Sequence, residues 1–298
     1  MNILALDIGG TAIKYGLFDS SGTALTDLYE KVTPKSETTN YIMKTITEII
    51  KSMKEENTVE GIAVSTAGVV DSQEGRVVFA GPTIPDYTNT SIKQMVEASF
   101  GIPCEVENDV NCAALGEWWR GAGKGSRSLV CVTIGTGLGG AVILNGKLWS
   151  GAAHSAGEIG YLPMPSGRTL QEEASASSLV ADYSVLSGIP VKQLNGKVIF
   201  EKAKSGDNEA AKAIDNMLTA LNQGLLAATY LISPDTIVIG GGVAAQKEYL
   251  ENKIEDKLKQ HIISTRMLPG KISCAELGNS AGMIGAVYHF KEKHFIVD

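Results

Sequence analysis

One pattern occurs twice in this chain, and the repeat limits its architecture more than any other feature. Near the start, the apolar strand Ile3-Leu4-Ala5-Leu6 leads through Asp7-Ile8-Gly9-Gly10-Thr11 into a second strand, Ile13 to Phe18. The stretch from Leu129 to Leu144, LVCVTIGTGLGGAVIL, has the same order of apolar strand, hydroxyl or carboxyl, glycine turn and apolar strand. Laying Asp7 on Thr133 puts Ile8 on Ile134, Gly9 on Gly135 and the outgoing strands on each other. Glycines let consecutive backbone N–H groups approach an anion without a side chain in the way. Two similar domains are therefore expected, each opening on a β-hairpin, with a phosphate chain able to lie between the two turns.

The second turn also fits G-x-G-x-x-G through Gly135, Gly137 and Gly140. A dinucleotide fold needs a helix directly after those glycines, whereas Ala141-Val142-Ile143-Leu144 followed by Asn145-Gly146 reads as a strand and its turn. The dinucleotide reading is rejected on that ground. A Walker-type G-x-x-x-x-G-K-[ST] loop is also absent from the sequence.

Further polar residues fall at strand ends. In C-E-V-E-N-D-V-N-C-A-A-L-G, Cys104 to Gly116, a short strand ends near Val106 and a helix runs from Val110 to Trp119. Glu107, Asn108 and Asp109 then sit at a strand's carboxyl end, the edge of an open α/β sheet where ligand crevices form. Asn108 or Asp109 can equally cap the helix. Gly61 to Val64 reads as a buried strand ending in Ser65-Thr66-Ala67-Gly68, and Thr236 to Ile239 runs into Gly240-Gly241-Gly242 and an expected helix from Val243 to His261. The spacing predicts core-facing helices over Thr39 to Lys54 and Asn216 to Leu231, another helix from Gln171 to Val180, and a closing one from Met283 to Lys291. Gly151 to Gly160, GAAHSAGEIG, is too rich in small residues for a stable helix. There Glu158 is either solvated or aimed at a polar ligand, on a backbone fixed by Gly157 and Gly160. Glu172 and Glu173 suit the macrodipole of a helix's first turn.

Composition excludes several classes. The chain has 298 residues, enough for one large or two ordinary domains, and its net charge of -7 argues against a nucleic-acid binder, which would carry a basic patch. Its N-terminus shows no charged n-region with a cleavage site, and no window approaches eighteen apolar residues, so a cytoplasmic protein without membrane insertion is expected. Cys104, Cys112, Cys131 and Cys274 form no C-x-x-C pair and read as small buried hydrophobes.

Five motifs in order, L-A-L-D-I-G-G-T-A-I-K, E-N-D-V-N, V-T-I-G-T-G-L-G-G, G-E-I-G and I-G-G-G-V, resemble those of the ROK family of sugar kinases and repressors within the actin-like ATPase superfamily. The likeness spans essentially the whole chain. It implies an α/β, two-lobed actin-like ATPase (ribonuclease H-like) fold, with residues 1–116 and 117–282 as the lobes and 283–298 packing back on the first. ATP with magnesium as cofactor, a hexose, hexosamine or β-glucoside phosphorylated at its 6-OH, and a homodimer follow from the same resemblance. By it, Asp109 matches the catalytic base, and Asn108 holds a neighbouring hydroxyl. Gly68, Thr83, Glu158 and Glu172 line the sugar. Asp7 positions magnesium through water. The amides of Gly9, Gly10, Thr11, Gly135, Thr136 and Gly137 bind phosphate, with Lys14 and Thr133 beside them, and Gly241 and Gly242 lie near the nucleoside.

Two departures from the family pattern carry weight. Where many members follow G-E-x-G with a histidine that serves sugar and a structural zinc, this chain has Tyr161, and the segment after it holds no cysteine. No zinc is expected. The family's later sugar-binding glutamate falls on Gln171 or Glu172, which leaves the anomeric side of the sugar open. Thr83, where glucose-specific members often carry an amide, leans away from plain glucokinase. The repressors begin with an added helix-turn-helix, and this sequence starts at its first strand, which favours a kinase over a sugar-responsive regulator or an inactive sugar-binding protein.

Overall fold

The computed structural model describes residues 1–34, 38–81 and 84–295. They group into two compact units, Met1–Trp119 with Gly151–Ser155 and Asn279 onward, and Arg120–Ser150 with Ala156–Gly278.

The first unit opens with strands β1 (Asn2–Ile8), β2 (Ala12–Asp19) and β3 (Tyr29–Val32), followed by helix α1 (Ile42–Glu56), β4 (Gly61–Thr66), the short β5 (Val69–Asp71) and β6 (Arg76–Phe79), helix α2 (Ile92–Phe100), β7 (Cys104–Asn108) and helix α3 (Asp109–Arg120). Its main sheet has the order β3-β2-β1-β4-β7, with β1, β4 and β7 parallel and the β1–β2–β3 meander antiparallel. Parallel strands covered on both faces read as continuous apolar runs, and every residue of β4 is buried. Helix α1 lays Ile42, Ile46, Ile49, Ile50 and Met53 on the core at helical spacing.

The second unit begins with β8 (Leu129–Ile134), β9 (Leu138–Leu144) and β10 (Lys147–Leu148), continues through helices α4 (Leu170–Ala174), α5 (Ala176–Ser187), α6 (Gly196–Lys204) and α7 (Asn208–Ile232), then β11 (Thr236–Gly240), helix α8 (Lys247–His261) and β12 (Lys271–Cys274). Its sheet order, β10-β9-β8-β11-β12, repeats the first, with β8, β11 and β12 parallel. The two hairpins of the sequence repeat thus occupy the same place in two sheets of one topology. All four cysteines are buried and free.

The chain closes with α9 (Ala281–His294), which packs across β1, β4 and β7. Ten successive residues, Ala281 to Phe290, are buried, as expected of a helix covered on several sides. A Cβ on Gly285 would strike the Cys112 carbonyl, and one on Gly116 the Ala281 carbonyl, so α3 and α9 meet backbone to backbone.

Three helices differ from the sequence expectation. The segment from Gln171 is not continuous: Ser175 is extended (φ -81, ψ 165) and its Oγ accepts from Ser178 N at 3.2 Å, so one helix ends and another is capped there. Likewise Gly242–Gln246 forms a 3-10 turn, and the α-helix starts only at Lys247. Helix α7 begins eight residues before the expected Asn216, because the Asp207 side chain caps it by accepting from Ala210 N at 2.9 Å. Among the described residues no helix is long and apolar enough to cross a membrane.

Candidate active site

In the first unit three parallel strands end at one sheet edge, and each brings polar residues there. The turn after β1 is closed by Gly9 N donating to the Ala12 carbonyl at 2.9 Å. In the second unit Gly135 N likewise donates to the Gly137 carbonyl at 2.9 Å. The six amides expected to face phosphate are thereby reduced, since Gly9 and Gly135 spend theirs inside the turns. The N–H groups of Gly10, Thr11, Thr136 and Gly137 have no acceptor among the described residues. These are the groups that fit an anion.

Asp7 is paired with Lys14 across the β1–β2 ladder and lies beside Ser65 of β4, whose Oγ donates to Asp7 Oδ1 at 2.6 Å. Burial pushes the Asp7 carboxyl above the usual carboxylate range, against the opposing pull of the Ser65 bond and the Lys14 charge. The first turn of α9 reaches it as well: a Cβ on Gly282 would lie 2.9 Å from Asp7 Oδ1. Only glycine allows that approach, and a helix N-terminus favours the ionised carboxylate. Lys14 Nζ donates to Asn279 Oδ1 at 3.2 Å.

At the end of β7, Asn108 does the capping. Its Oδ1 accepts from Val110 N at 2.9 Å and Asn111 N at 3.0 Å, and its Nδ2 donates to the Gly68 carbonyl at 2.8 Å and to Asp109 Oδ1 at 3.0 Å. An asparagine amide has two acceptor sites and two donors, so all four are in use, and a sugar hydroxyl at Asn108 would have to displace one of them. Gly68, at φ 101, has no room for a side chain, since a Cβ would lie 2.7 Å from the Phe79 carbonyl. Asp109 opens α3 with Oδ1 also accepting from Val110 N at 3.0 Å, which sets the rotation of its carboxylate. Behind it the buried Glu107 accepts from Asn108 N at 2.7 Å and Asn111 Nδ2 at 2.9 Å. Burial pushes this carboxyl up. Thr83 lies outside the described residues. His154, at φ 58, places Nε2 3.6 Å from Asp71 Oδ2.

In the second unit Thr133 is paired with Gly139 and Gly240, which puts the ends of β8 and β11 side by side. Gly241 sits at φ 78, and a Cβ added there would strike the Ile134 carbonyl, so no other residue fits. Gly242 opens the 3-10 turn that follows. Glu158 precedes a 3-10 turn over Ile159–Tyr161, is half-buried, and burial raises its carboxyl. Tyr161 is 61% exposed.

Gln171 and Glu172, which sequence reasoning left as alternatives, diverge. Gln171 Oε1 accepts from Leu138 N at 3.1 Å, directly after the glycine turn. Glu172 is exposed and closes a capping box: its Oε2 accepts from Thr169 N at 2.7 Å and Thr169 Oγ1 at 2.8 Å, which holds its carboxyl below the usual range. A cavity of about 420 Å³ in this unit is lined by Arg168, Glu172, Asp182 and Asn216 among others, and no residue of either glycine turn lines it. Among the described residues no group of three or more His, Cys, Asp or Glu is placed to hold a metal ion.

Two sheets of one topology, each with a glycine hairpin and polar strand ends at its carboxyl edge, define a class, and the comparisons place the chain within it. The ROK family model matches residues 3–293, and the chain belongs to the ROK family. A β-glucoside kinase of Listeria innocua is 34% identical over 301 residues, with 98% of each chain covered. The crystal structure of a ROK family glucokinase from Streptomyces griseus, in complex with glucose and AMPPNP, superposes with a TM-score of 0.83 at 31% identity, covering 97% of this chain and 98% of that one. A ROK family protein from Streptococcus pneumoniae in complex with sucrose gives 0.85 at 27% identity, covering 98% and 99%. The fold is the actin-like ATPase fold that the family resemblance implied, and the repeat of the sequence is its two sheets of one topology.

Proposed function

We propose that this protein is an ATP-dependent kinase that phosphorylates the 6-OH of a hexose, hexosamine or β-glucoside. The observation that carries the reading is Asp109, a carboxylate whose rotation is set by Asn108 and Val110, at the same sheet edge as the Gly9–Thr11 turn. Phosphoryl transfer asks the protein for positioning and electrostatic stabilisation more than for covalent help. When bound, magnesium ATP supplies the γ-phosphoryl group. Asp109 takes the proton of the attacking hydroxyl as its oxygen bonds to phosphorus, and ADP departs with the former bridging oxygen. The amides of Gly10, Thr11, Thr136 and Gly137 hold phosphate oxygens, and Asp7, Lys14 and Thr133 flank them. Gly241 and Gly242 leave room for the nucleoside. Glu158 accepts from sugar hydroxyls, and Glu172, whose Oε1 is outside its cap, is a further candidate. Residues 1–116 and 117–282 are read as the two lobes, with the described part of 283–298, in α9, returning to the first and residues 296–298 lying outside the described residues. No zinc is called for, since Tyr161 stands where the histidine ligand would be.

A coupled assay for ADP release across glucose, N-acetylmannosamine, fructose and a β-glucoside tests this. The likeness to β-glucoside kinases puts the β-glucoside first. One sugar is expected to raise ADP release at least about a hundredfold over the sugar-free rate. A panel in which none does so would overturn the kinase reading, and about one zinc per chain by elemental analysis would overturn the zinc-free one.

A further inference from the structure

In each glycine turn the carbonyl of the first glycine is taken up by a donor from outside the hairpin. In the first unit the Gly9 carbonyl accepts from Thr33 Oγ1 at 2.7 Å, and the Thr11 carbonyl accepts from Thr33 N at 2.9 Å. In the second the Gly135 carbonyl accepts from Ala176 N at 2.9 Å. Gly9 and Gly135 are the same position of the sequence repeat. A trans peptide is planar, so the C=O of one residue and the N–H of the next point in opposite directions. A donor on the Gly9 carbonyl therefore aims Gly10 N–H away from Thr33, and a donor on the Gly135 carbonyl aims Thr136 N–H away from Ala176. Those two N–H groups are without an acceptor among the described residues, and a Cβ on Gly10 would meet nothing within 4 Å.

The repeats thus share one device and build it differently. In the second unit the donor is main chain, the first residue of α5. In the first it is a side chain. Thr33 is 4% exposed, lies just past β3, and holds two carbonyls of the turn at once. Without its hydroxyl the peptide between Gly9 and Gly10, flanked by residues with no Cβ, is free to rotate and present its carbonyl to the anion.

We propose that Thr33 is a positioning residue for the nucleotide: its hydroxyl fixes the Gly9–Gly10 peptide so that Gly10 N–H faces the phosphate chain. The inference rests on the kinase reading. Its test is Thr33→Val, which keeps the shape and removes the donor, beside Thr33→Ser, which keeps the donor. ADP affinity is measured by calorimetry without sugar, and KM for ATP and for sugar by the coupled assay.

Thr33→Val is expected to weaken ADP binding and raise KM for ATP about tenfold, with kcat at saturating ATP and KM for sugar within about twofold of the parent. Thr33→Ser should stay within about twofold throughout. Unchanged nucleotide affinity in folded Thr33→Val, an equal loss for sugar and nucleotide, or a Thr33→Ser variant as poor as Thr33→Val would each overturn the proposal. Should Thr33→Val not fold, Thr33→Ala, which adds no atoms to the site, takes its place under the same criteria. A parent protein that binds ADP but phosphorylates no sugar would overturn the kinase reading alone, and the ADP titrations would still decide Thr33. A parent that binds no ADP would overturn both.

Discussion

Asp109 and Asn108 are adjacent in sequence and do different work. Asn108 is held through all four of its hydrogen-bonding sites, and one of them fixes Asp109 Oδ1. The capping role and the proposed site role, alternatives in the sequence, are compatible: the residue that caps the helix also holds the carboxylate proposed as the base. Asp109→Asn keeps the volume but cannot take a proton, and it is expected to lower kcat by roughly two to four orders of magnitude with sugar and ADP affinity nearly unchanged. Single-turnover kinetics with separate binding titrations checks this, and a variant keeping more than about a tenth of the activity would remove Asp109 from the role of base. Gln171 and Glu172 were not separable by sequence, because a shift of one residue on a helix turns the side chain by about 100°. One reaches Leu138 and the other closes a cap on Thr169.

At the scale of elements, glycines mark two different needs. Gly285 and Gly116 let α9 and α3 touch, and α3 carries Asp109 at its first position. Gly285→Ala drives a methyl into the Cys112 carbonyl and is expected to cost about 3 kcal/mol or more of stability in urea unfolding. Gly10 is the opposite case, with a φ outside the left-handed region and open space around the added Cβ. Gly10→Ala should leave stability within about 0.5 kcal/mol. Its methyl would stand where the anion approaches, so ADP affinity should fall about tenfold or more. Equal effects of the two substitutions on stability would show that their separation into packing and binding glycines is mistaken. The hairpin repeat was legible because both turns are local in sequence and the strands on either side are apolar. The break at Ser175 was not, since no helix breaker marks it.

On the scale of the whole molecule, α9 sets a pH dependence. His289, 6% exposed, has its pKa lowered to about 3, first by burial and then by the charges of Lys293, Lys93 and His294. An unfolded histidine takes its proton near pH 6.5, so below that the unfolded chain binds more protons than the folded one. Stability is then complete above about pH 6.5 and lost as pH falls toward 3, by up to about 1.4 kcal/mol per unit from this group. Between pH 7 and pH 5, His289→Leu should lose about 2 kcal/mol less than the parent, read from urea unfolding at each pH. Parallel losses in the two proteins would mean that the buried ring is not the source.

The sequence by itself determined the two α/β repeats, the glycine turns, the strand ends carrying Asp7, Asn108 and Asp109, and the burial of the four cysteines. Each of these rests on periodicity or on residues close together in the chain, where backbone geometry leaves few choices. Only the tertiary structure decided that Gly282 of α9 abuts Asp7, that Lys14 bonds Asn279 from 265 residues away, that Gln171 reaches Leu138, and that Thr33 holds the Gly9 carbonyl. Such contacts depend on how strands order themselves in a sheet and which helix returns to cover it. A threonine just past a strand carries no mark of the carbonyl it will meet until that packing is complete.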